Sequence, residues 1–343
     1  MKLNAATTDT AITFEGVVKR YGDAVAVNGL NLSIRQGELV TFLGPSGCGK
    51  TTSLRLIAGL ELPSEGQLLI AGRDVSREPA SERNVGMVFQ SYALFPHMNV
   101  LENVAYGPAI RGLKKAQARE KARAILDQIG LGGLHDRFPS ELSGGQQQRV
   151  AVARAIVQQP DVILFDEPLS NVDAKLRRRV RSEIRALQQE FGLTAVYVTH
   201  DQEEALAVSD RIMVMDSGRI AQVGTPEDLY DHPVSAFIAS FIGDANLIEG
   251  AVRAGRFTGA ALDVAVPGGD GPCTLSIRPE RIALAPGGTV RIDSATYLGS
   301  RMEYEVTSGG KRLLVSRPIP EPRFAAGDVV HLQIDPAGVT RLD

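Results

Sequence analysis

The loop Gly44-Pro45-Ser46-Gly47-Cys48-Gly49-Lys50-Thr51 constrains this chain more than any other stretch. It follows the apolar run 39–43 and precedes the helix-like run 52–58, which begins at Thr52, so its context is strand, loop, helix. That order belongs to an α/β fold in which a helix N-terminus faces the loop. The glycines let the backbone wrap closely around phosphate oxygens, and the following helix aims its N–H groups and dipole at them. Lys50 is placed to reach the β- and γ-phosphates of a nucleotide, and Thr51 to offer its hydroxyl to Mg²⁺. A turn of this form arises by chance in about one unrelated chain of this length in a hundred, and the flanking strand and helix lower that figure. Cys48 reads as a small residue tolerated within the loop, and as a site for alkylation.

A second run, Val162-Ile163-Leu164-Phe165, reads as a buried strand ending in the adjacent carboxylates Asp166 and Glu167. Strands of this kind present their C-terminal ends to ligand. Asp166 is placed to hold the Mg²⁺ shell and Glu167 to polarise the water that attacks the γ-phosphate. Alone, an apolar run meeting two acids is often only a strand reaching solvent. With the phosphate loop it defines a P-loop NTPase.

The 343 residues exceed the usual size of one domain, so two are expected. Strand-like and helix-like runs alternate from about residue 12 to about residue 231, as in an α/β domain. From about Ala245 onward Gly and Pro are frequent, and residues 274–277 and 301–306 read as strands of a small β-barrel or sandwich. Between the two, Thr225-Pro226-Glu227-Asp228 has the form of a helix start. The formal charge is only −3, which leaves no extended footprint for nucleic acid. No apolar stretch approaches bilayer thickness, and the polar first residues are unlike a signal peptide, so a cytosolic chain is expected. The two cysteines, Cys48 and Cys273, lack metal-ligand spacing.

The kind of NTPase is set by Leu142-Ser143-Gly144-Gly145-Gln146. This pentapeptide resembles the signature of the ABC ATPase family, and its chance occurrence in a chain this long is well below about one in a thousand. Ser143 and the amides of Gly144 and Gly145 at a helix start form a second anion site. The resemblance implies that two subunits close head-to-tail, with each ATP between the phosphate loop of one and the signature, including Gln146, of the other. Other positions match the family in order. Tyr21 matches the aromatic that stacks on adenine, although a tyrosine in a surface turn has the same appearance. Gln90 matches the glutamine that touches Mg²⁺ or its water and senses the permease. Asn171-Val172-Asp173 resembles the loop that contacts the opposite subunit. His200 matches the histidine that contacts the γ-phosphate and orients the attacking water. The resemblance thus implies Glu167, His200, Lys50 and Gln90 as catalytic residues, residues 44–52 as the phosphate cradle, and Thr51, Gln90 and Asp166 around Mg²⁺.

By the same resemblance, residues 11–240 form the ATPase domain, with a helical subdomain over about 91–160. Residues 91–107 look like the segment that importer ATPases present to a permease. There Leu94, Phe95 and Met98 either line a docking groove or fill the subdomain core. Residues 276–284 resemble the start of the transport-associated OB-type (TOBE) domain, giving a β domain over 241–343. The basic run 175–181 is expected to be a solvated helix face. The implied partners are a second ATPase subunit, two transmembrane permeases and, through them, an extracytoplasmic solute-binding protein, with the chain at the cytoplasmic face of the cell membrane. Translation and DNA-repair ATPases are disfavoured, because the chain holds one cassette and no long heptad arms. A GTP switch is disfavoured by the absence of an Asn-Lys-x-Asp motif. Similarity over 89–107 and 224–250 leans toward the polyamine branch, with ferric iron, sulfate, aminoethylphosphonate and sugars as alternatives.

Overall fold

The computed structural model describes residues 9–170, 174–319 and 321–342, residues 174–176 by their backbone only. The segment 171–173, read above as the loop facing the opposite subunit, lies outside the described residues. The chain divides into two compact units between Pro226 and Glu227.

The first unit opens with β1 (Thr10–Tyr21), β2 (Ala24–Arg35) and β3 (Leu39–Leu43), then α1 (Lys50–Ala58), β4 (Glu65–Ile70), β5 (Arg73–Asp74) and β6 (Val85–Val88). Three helices follow, α2 (Val100–Ile110), α3 (Lys115–Gln128) and α4 (Gly144–Ile156). The unit is completed by β7 (Val162–Asp166), α5 (Ala174–Glu190), β8 (Ala195–Val198), α6 (Gln202–Val208), β9 (Arg211–Asp216) and β10 (Arg219–Gly224). The apolar runs assemble into one sheet of order β10-β9-β3-β8-β7-β6, parallel except for the β9–β10 pair. A second, antiparallel sheet has the order β2-β1-β4-β5.

Alternation along the strands explains why their sequences are continuously apolar. Val162 and Leu164 of β7, with Val196 and Val198 of β8, face a cluster shared with α1 and the antiparallel sheet. Ile163, Phe165, Ala195 and Tyr197 face the opposite cluster, built with α4 and α5. A parallel sheet covered on both sides needs apolar residues at every position. Arg83 is a charged residue buried in this unit: it is 1% exposed and donates to the carbonyls of Leu56, Ile57, Val75 and Glu78. Its charge meets the negative end of α1, where carbonyls lack helical partners.

Helices α2, α3 and α4 pack through a separate cluster running from Val100 to Val157. The start of α2 is fixed by a capping box between Asn99 and Glu102. In α3 the buried residues Ala118, Ala122 and Leu126 recur every fourth position, which gives one apolar stripe.

Among its described residues the second unit holds two short α-helices, α7 (Pro226–Asp231), at the division, and α8 (Ala236–Phe241), followed by nine strands, β11 (Asn246–Arg253), β12 (Arg256–Gly259), β13 (Leu262–Ala265), β14 (Gly271–Ile277), β15 (Ile282–Tyr297), β16 (Arg301–Ser308), β17 (Lys311–Pro318), β18 (Val329–Ile334) and β19 (Val339–Leu342). They form two antiparallel sheets, β13-β12-β11-β14-β19 and β17-β16-β15-β18, around one core that includes Ile248, Phe257, Leu275, Tyr304 and Val315. The strands expected at 274–277 and 301–306 are the end of β14 and most of β16, and α7 starts where residues 225–228 suggested. The division falls before the expected boundary at 240/241, because α7 and α8 are tied to the β strands. Arg278 donates to the carbonyls of Tyr230 and Ala239, and its guanidinium lies 4.0 Å from the Tyr230 ring centroid. Burial, and then the Glu280 carboxylate that accepts from the Tyr230 hydroxyl, push that phenol up to about 12.

Candidate functional site

Strand register brings the sequence motifs to one edge. In β3-β8-β7-β6 the pairs Phe42↔Val198, Asp166↔Val198 and Val88↔Phe165 align the C-terminal ends. The phosphate loop after β3, His200 after β8, Asp166 and Glu167 at the end of β7, and Gln90 after β6 therefore leave the sheet on the same side. This is the edge at which open parallel sheets bind ligands.

The loop is shaped around its glycines. A Cβ at Gly44 (φ +156°) would sit 2.3 Å from the Met215 carbonyl oxygen, and one at Gly49 (φ +105°) 2.4 Å from that of Ala26. Only a hydrogen fits at either place, which keeps the backbone against β9 and β2. Gly49 caps α1 without a side-chain hydrogen bond, and the first turn carries no acid, so the positive helix end is left to an external anion. Pro45, Ser46 and Gly47 form the outer part of the loop, Ser46 and Gly47 being exposed, while Thr51 and Thr52 are half-buried at the helix start. Lys50 is 6% exposed; its Nζ donates to the carbonyls of Gly44 at 2.7 Å and Pro45 at 2.9 Å and lies 3.8 Å from Cys48 Sγ. The ammonium is thus held at the loop by neutral acceptors, with its charge uncancelled by any carboxylate in these bonds. Cys48 is 4% exposed, which corrects its reading as a site for alkylation: packing against Gly44 and the core hides the thiol.

Asp166 is half-buried, and burial first, then the neighbouring Glu167 charge, push its carboxyl up, with Arg55 partly offsetting them. Glu167 adopts φ +45°, a left-handed conformation that costs a non-glycine residue roughly 1 kcal/mol. Its N–H donates to the Val198 carbonyl at 3.0 Å, and its own carbonyl accepts from the Ser170 hydroxyl at 3.0 Å. The kink directs the carboxylate toward β8, where Oε2 lies 3.3 Å from His200 Nδ1.

Tyr21, at the end of β1, is 45% exposed, and the Lys19 ammonium lies 4.9 Å from its ring centroid. Gln90 is exposed just beyond β6. Ser143 caps α4: its hydroxyl accepts from the Gln146 N–H, and Gln146 Oε1 accepts from the Ser143 N–H at 2.9 Å. Gln146 thereby rigidifies the helix start that presents Gly144 and Gly145. Among the described residues no hydrogen bond or ion pair joins residues 143–146 to the loop 44–51.

Sequence reasoning missed Arg154. It extends from the last turn of α4, donates to the carbonyls of Tyr92 and Ala93, and lies 5.4 Å from the Phe95 ring centroid. Tyr92 and Ala93 both take positive φ, so the segment after Gln90 is strained and clamped to the signature helix. Phe95, Tyr106 and Ile110 line a groove of about 540 Å³ with Arg154, whereas Leu94 packs between two core clusters and Met98 borders a different depression. In the basic run Arg178 and Arg179 are exposed, as expected of a solvated helix face, while Arg177 and Arg181 are half-buried. Arg177 pairs with Asp201, Arg181 donates to the Glu203 carbonyl, and Arg179 pairs with Glu183.

A strand-edge nucleotide loop, an acid pair and a capped signature helix are the parts of an ABC ATPase. The family described as "ABC transporter" matches residues 27–170, and the family described as "TOBE domain" matches residues 275–342. The chain belongs to the ABC transporter family, as an ATP-hydrolysing subunit of the importer type with a C-terminal TOBE domain. It is similar to the "Fe(3+) ions import ATP-binding protein FbpC" of Brucella abortus (strain 2308), 52% identical over 341 residues, covering 96% of this chain and 97% of that protein. The "Fe(3+) ions import ATP-binding protein FbpC 1" of Rhizobium meliloti (strain 1021) is 50% identical over 347 residues, covering 97% and 98%. Among solved structures, cbiO1 from Clostridium perfringens, described as part of the ABC transporter complex cbiONQ, aligns with TM-score 0.60 and 29% identity over 65% of this chain and 92% of that one. A dimeric, post-hydrolysis structure of the ATP-binding cassette MJ0796 bound to ADP and Pi aligns with TM-score 0.54 and 32% identity over 63% and 98%. The relatives overturn the lean toward the polyamine branch. Residues 89–107 lie between β6 and the end of α2, whereas residues 227–250 belong to the second unit, with α7, α8 and the start of β11.

Proposed function

We propose that this chain energises ferric-iron import, and the observation that carries the reading is the 52% identity to Fe(3+) import subunits along nearly its whole length. ATP lies with its phosphates against residues 44–52, where the glycine cradle and the uncapped α1 terminus fit an anion. Lys50 exchanges its loop carbonyls for phosphate oxygens, and Tyr21 offers an exposed ring to adenine. Thr51, Gln90 and Asp166 are hard oxygen donors of the kind Mg²⁺ takes, and the ion, when bound, neutralises phosphate charge. Glu167 accepts the proton of the attacking water, and His200 holds that water and the γ-phosphate in line. Ser143, Gly144 and Gly145 serve the nucleotide of a second copy, as in a head-to-tail dimer.

No described helix is long and apolar enough to cross a membrane. The chain works peripherally, at the cytoplasmic face, on two permease subunits that an extracytoplasmic binding protein supplies. The groove lined by Phe95, Tyr106 and Ile110 offers an apolar seat for a permease helix. Deleting the gene and measuring uptake of radiolabelled ferric citrate and putrescine tests the solute. Loss of ferric uptake alone, restored by the wild-type chain but not by Glu167→Gln, supports the proposal. Loss of putrescine uptake with intact ferric uptake sinks it.

A further inference from the structure

The turn that carries His200 is gripped from both sides by a cluster, buried at Tyr197, Thr199 and Glu204 and half-buried at Asp201 and Arg177, that the hydrolytic reading leaves unused. Thr199, before the histidine, is 2% exposed; its hydroxyl donates to Glu204 Oε2 at 2.8 Å and accepts the Asp201 N–H at 3.0 Å. The Tyr197 hydroxyl donates to the same Glu204 oxygen at 3.2 Å. Asp201, after the histidine, caps α6 by accepting the Glu204 N–H on Oδ1 at 3.0 Å. Its Oδ2 accepts from Arg177 Nη1 at 3.0 Å, and Arg177 Nε lies 3.7 Å from Glu204 Oε1.

Glu204 is 3% exposed. A carboxylate is costly there unless hydrogen bonds and a counter-charge surround it. Two hydroxyls and a guanidinium do so, yet burial still pushes its carboxyl up, against the bond from Thr199. The His200 side chain, by contrast, is 61% exposed, and its one ion-pair contact among the described residues is with Glu167. Packing does not orient the imidazole, so its place follows from its backbone.

We infer that Glu204, acting through Thr199 and Asp201 and braced by Arg177, is the positioning residue for His200. It fixes the backbone on both sides of the histidine and keeps the imidazole within reach of Glu167. It also ties that turn to α5, the helix that follows Glu167 in the chain, so the two hydrolytic groups share one frame. This rests on the reading of Glu167 and His200 given above. Misplacing a reacting group by about 1 Å costs up to about a hundredfold in rate, so loosening the clasp should be visible in turnover.

The test uses the full chain at saturating MgATP. Thr199→Val keeps the side-chain shape and removes the hydroxyl that links Glu204 to Asp201; Glu204→Gln is the second variant, should the first fold poorly. Each should lower kcat about tenfold with KM for ATP within about twofold, since binding is untouched. In a His200→Ala background neither should lower kcat further, because the group they position is gone. An equal fall in both backgrounds, or no fall in the wild-type background, overturns the inference. Should His200→Ala alone keep wild-type turnover, the reading of His200 itself fails and takes the clasp with it.

Discussion

Nδ1 of His200 lies 3.3 Å from Oε2 of Glu167, although the two residues close different strands of the core sheet. The approach depends on the left-handed backbone at Glu167, φ +45°, which turns its carboxylate back over β8. A strained non-glycine residue persists only where its surroundings hold it, here the N–H bond to Val198 and the carbonyl bond from Ser170.

Glu167→Gln preserves shape and hydrogen bonding but removes the proposed proton acceptor. We expect phosphate release to fall by about a hundredfold or more while ATP binding persists. Light scattering should then show a dimer that accumulates with ATP. A variant that still hydrolyses at the wild-type rate would remove Glu167 as the base, and one that stays monomeric with ATP would count against the closed dimer.

Gly44→Ala places a methyl group 2.3 Å from the Met215 carbonyl oxygen and 2.6 Å from Cys48 Sγ. Both neighbours are buried in the core, so the loop must move. Calorimetric titration should show ATP affinity reduced at least about tenfold, with a stability loss of about 1–3 kcal/mol. Unchanged affinity would mean that the loop conformation is not what binds phosphate.

Arg83→Met replaces a buried guanidinium with an apolar side chain of similar length and leaves four backbone carbonyls without that donor. Urea unfolding of the ATPase unit should lose about 3 kcal/mol or more. Because the carbonyls of Leu56 and Ile57 close α1, the nucleotide loop at its other end should also loosen. A loss below about 1 kcal/mol would show that water replaces the guanidinium.

Asp166 carries a stability cost in the folded chain. Its carboxyl is pushed up by burial first and by the Glu167 charge second. A carboxyl raised in the folded state stabilises the fold fully below its unfolded pKa, and that contribution is lost as pH rises through the raised folded value. At neutral pH Asp166→Asn should therefore stabilise the nucleotide-free protein, by less than about 1 kcal/mol after solvent screening. The gain should shrink as pH falls toward about 4, and ATP hydrolysis should be lost throughout. A variant less stable than wild type at neutral pH contradicts the cost.

The parts of the proposed nucleotide site were legible in the sequence because their structural demands are local. Glycines at 44 and 49, an uncapped helix beginning at Lys50 and a Ser143–Gln146 capping box each lie within a few residues, so contiguous sequence had to encode them. The double-faced apolar runs of β3, β7 and β8 likewise announced a covered parallel sheet. The solvated face of the basic run in α5 was legible at Arg178 and Arg179, whereas the partners of Arg177 and Arg181 were not, because they belong to another element, around α6.

What sequence alone determined is the class of chemistry: a phosphate cradle, an acid pair and a signature helix, in family order. Tertiary structure alone decided how these groups stand to one another. It set the left-handed turn at Glu167, the burial that shifts Asp166, the Arg154 clamp beyond Gln90, and the Glu204 cluster around His200. The reason is physical. A glycine turn or a capping box is settled between neighbours in the chain, whereas burial, charge pairing and a strained turn held from another strand depend on which strands the sheet order sets side by side.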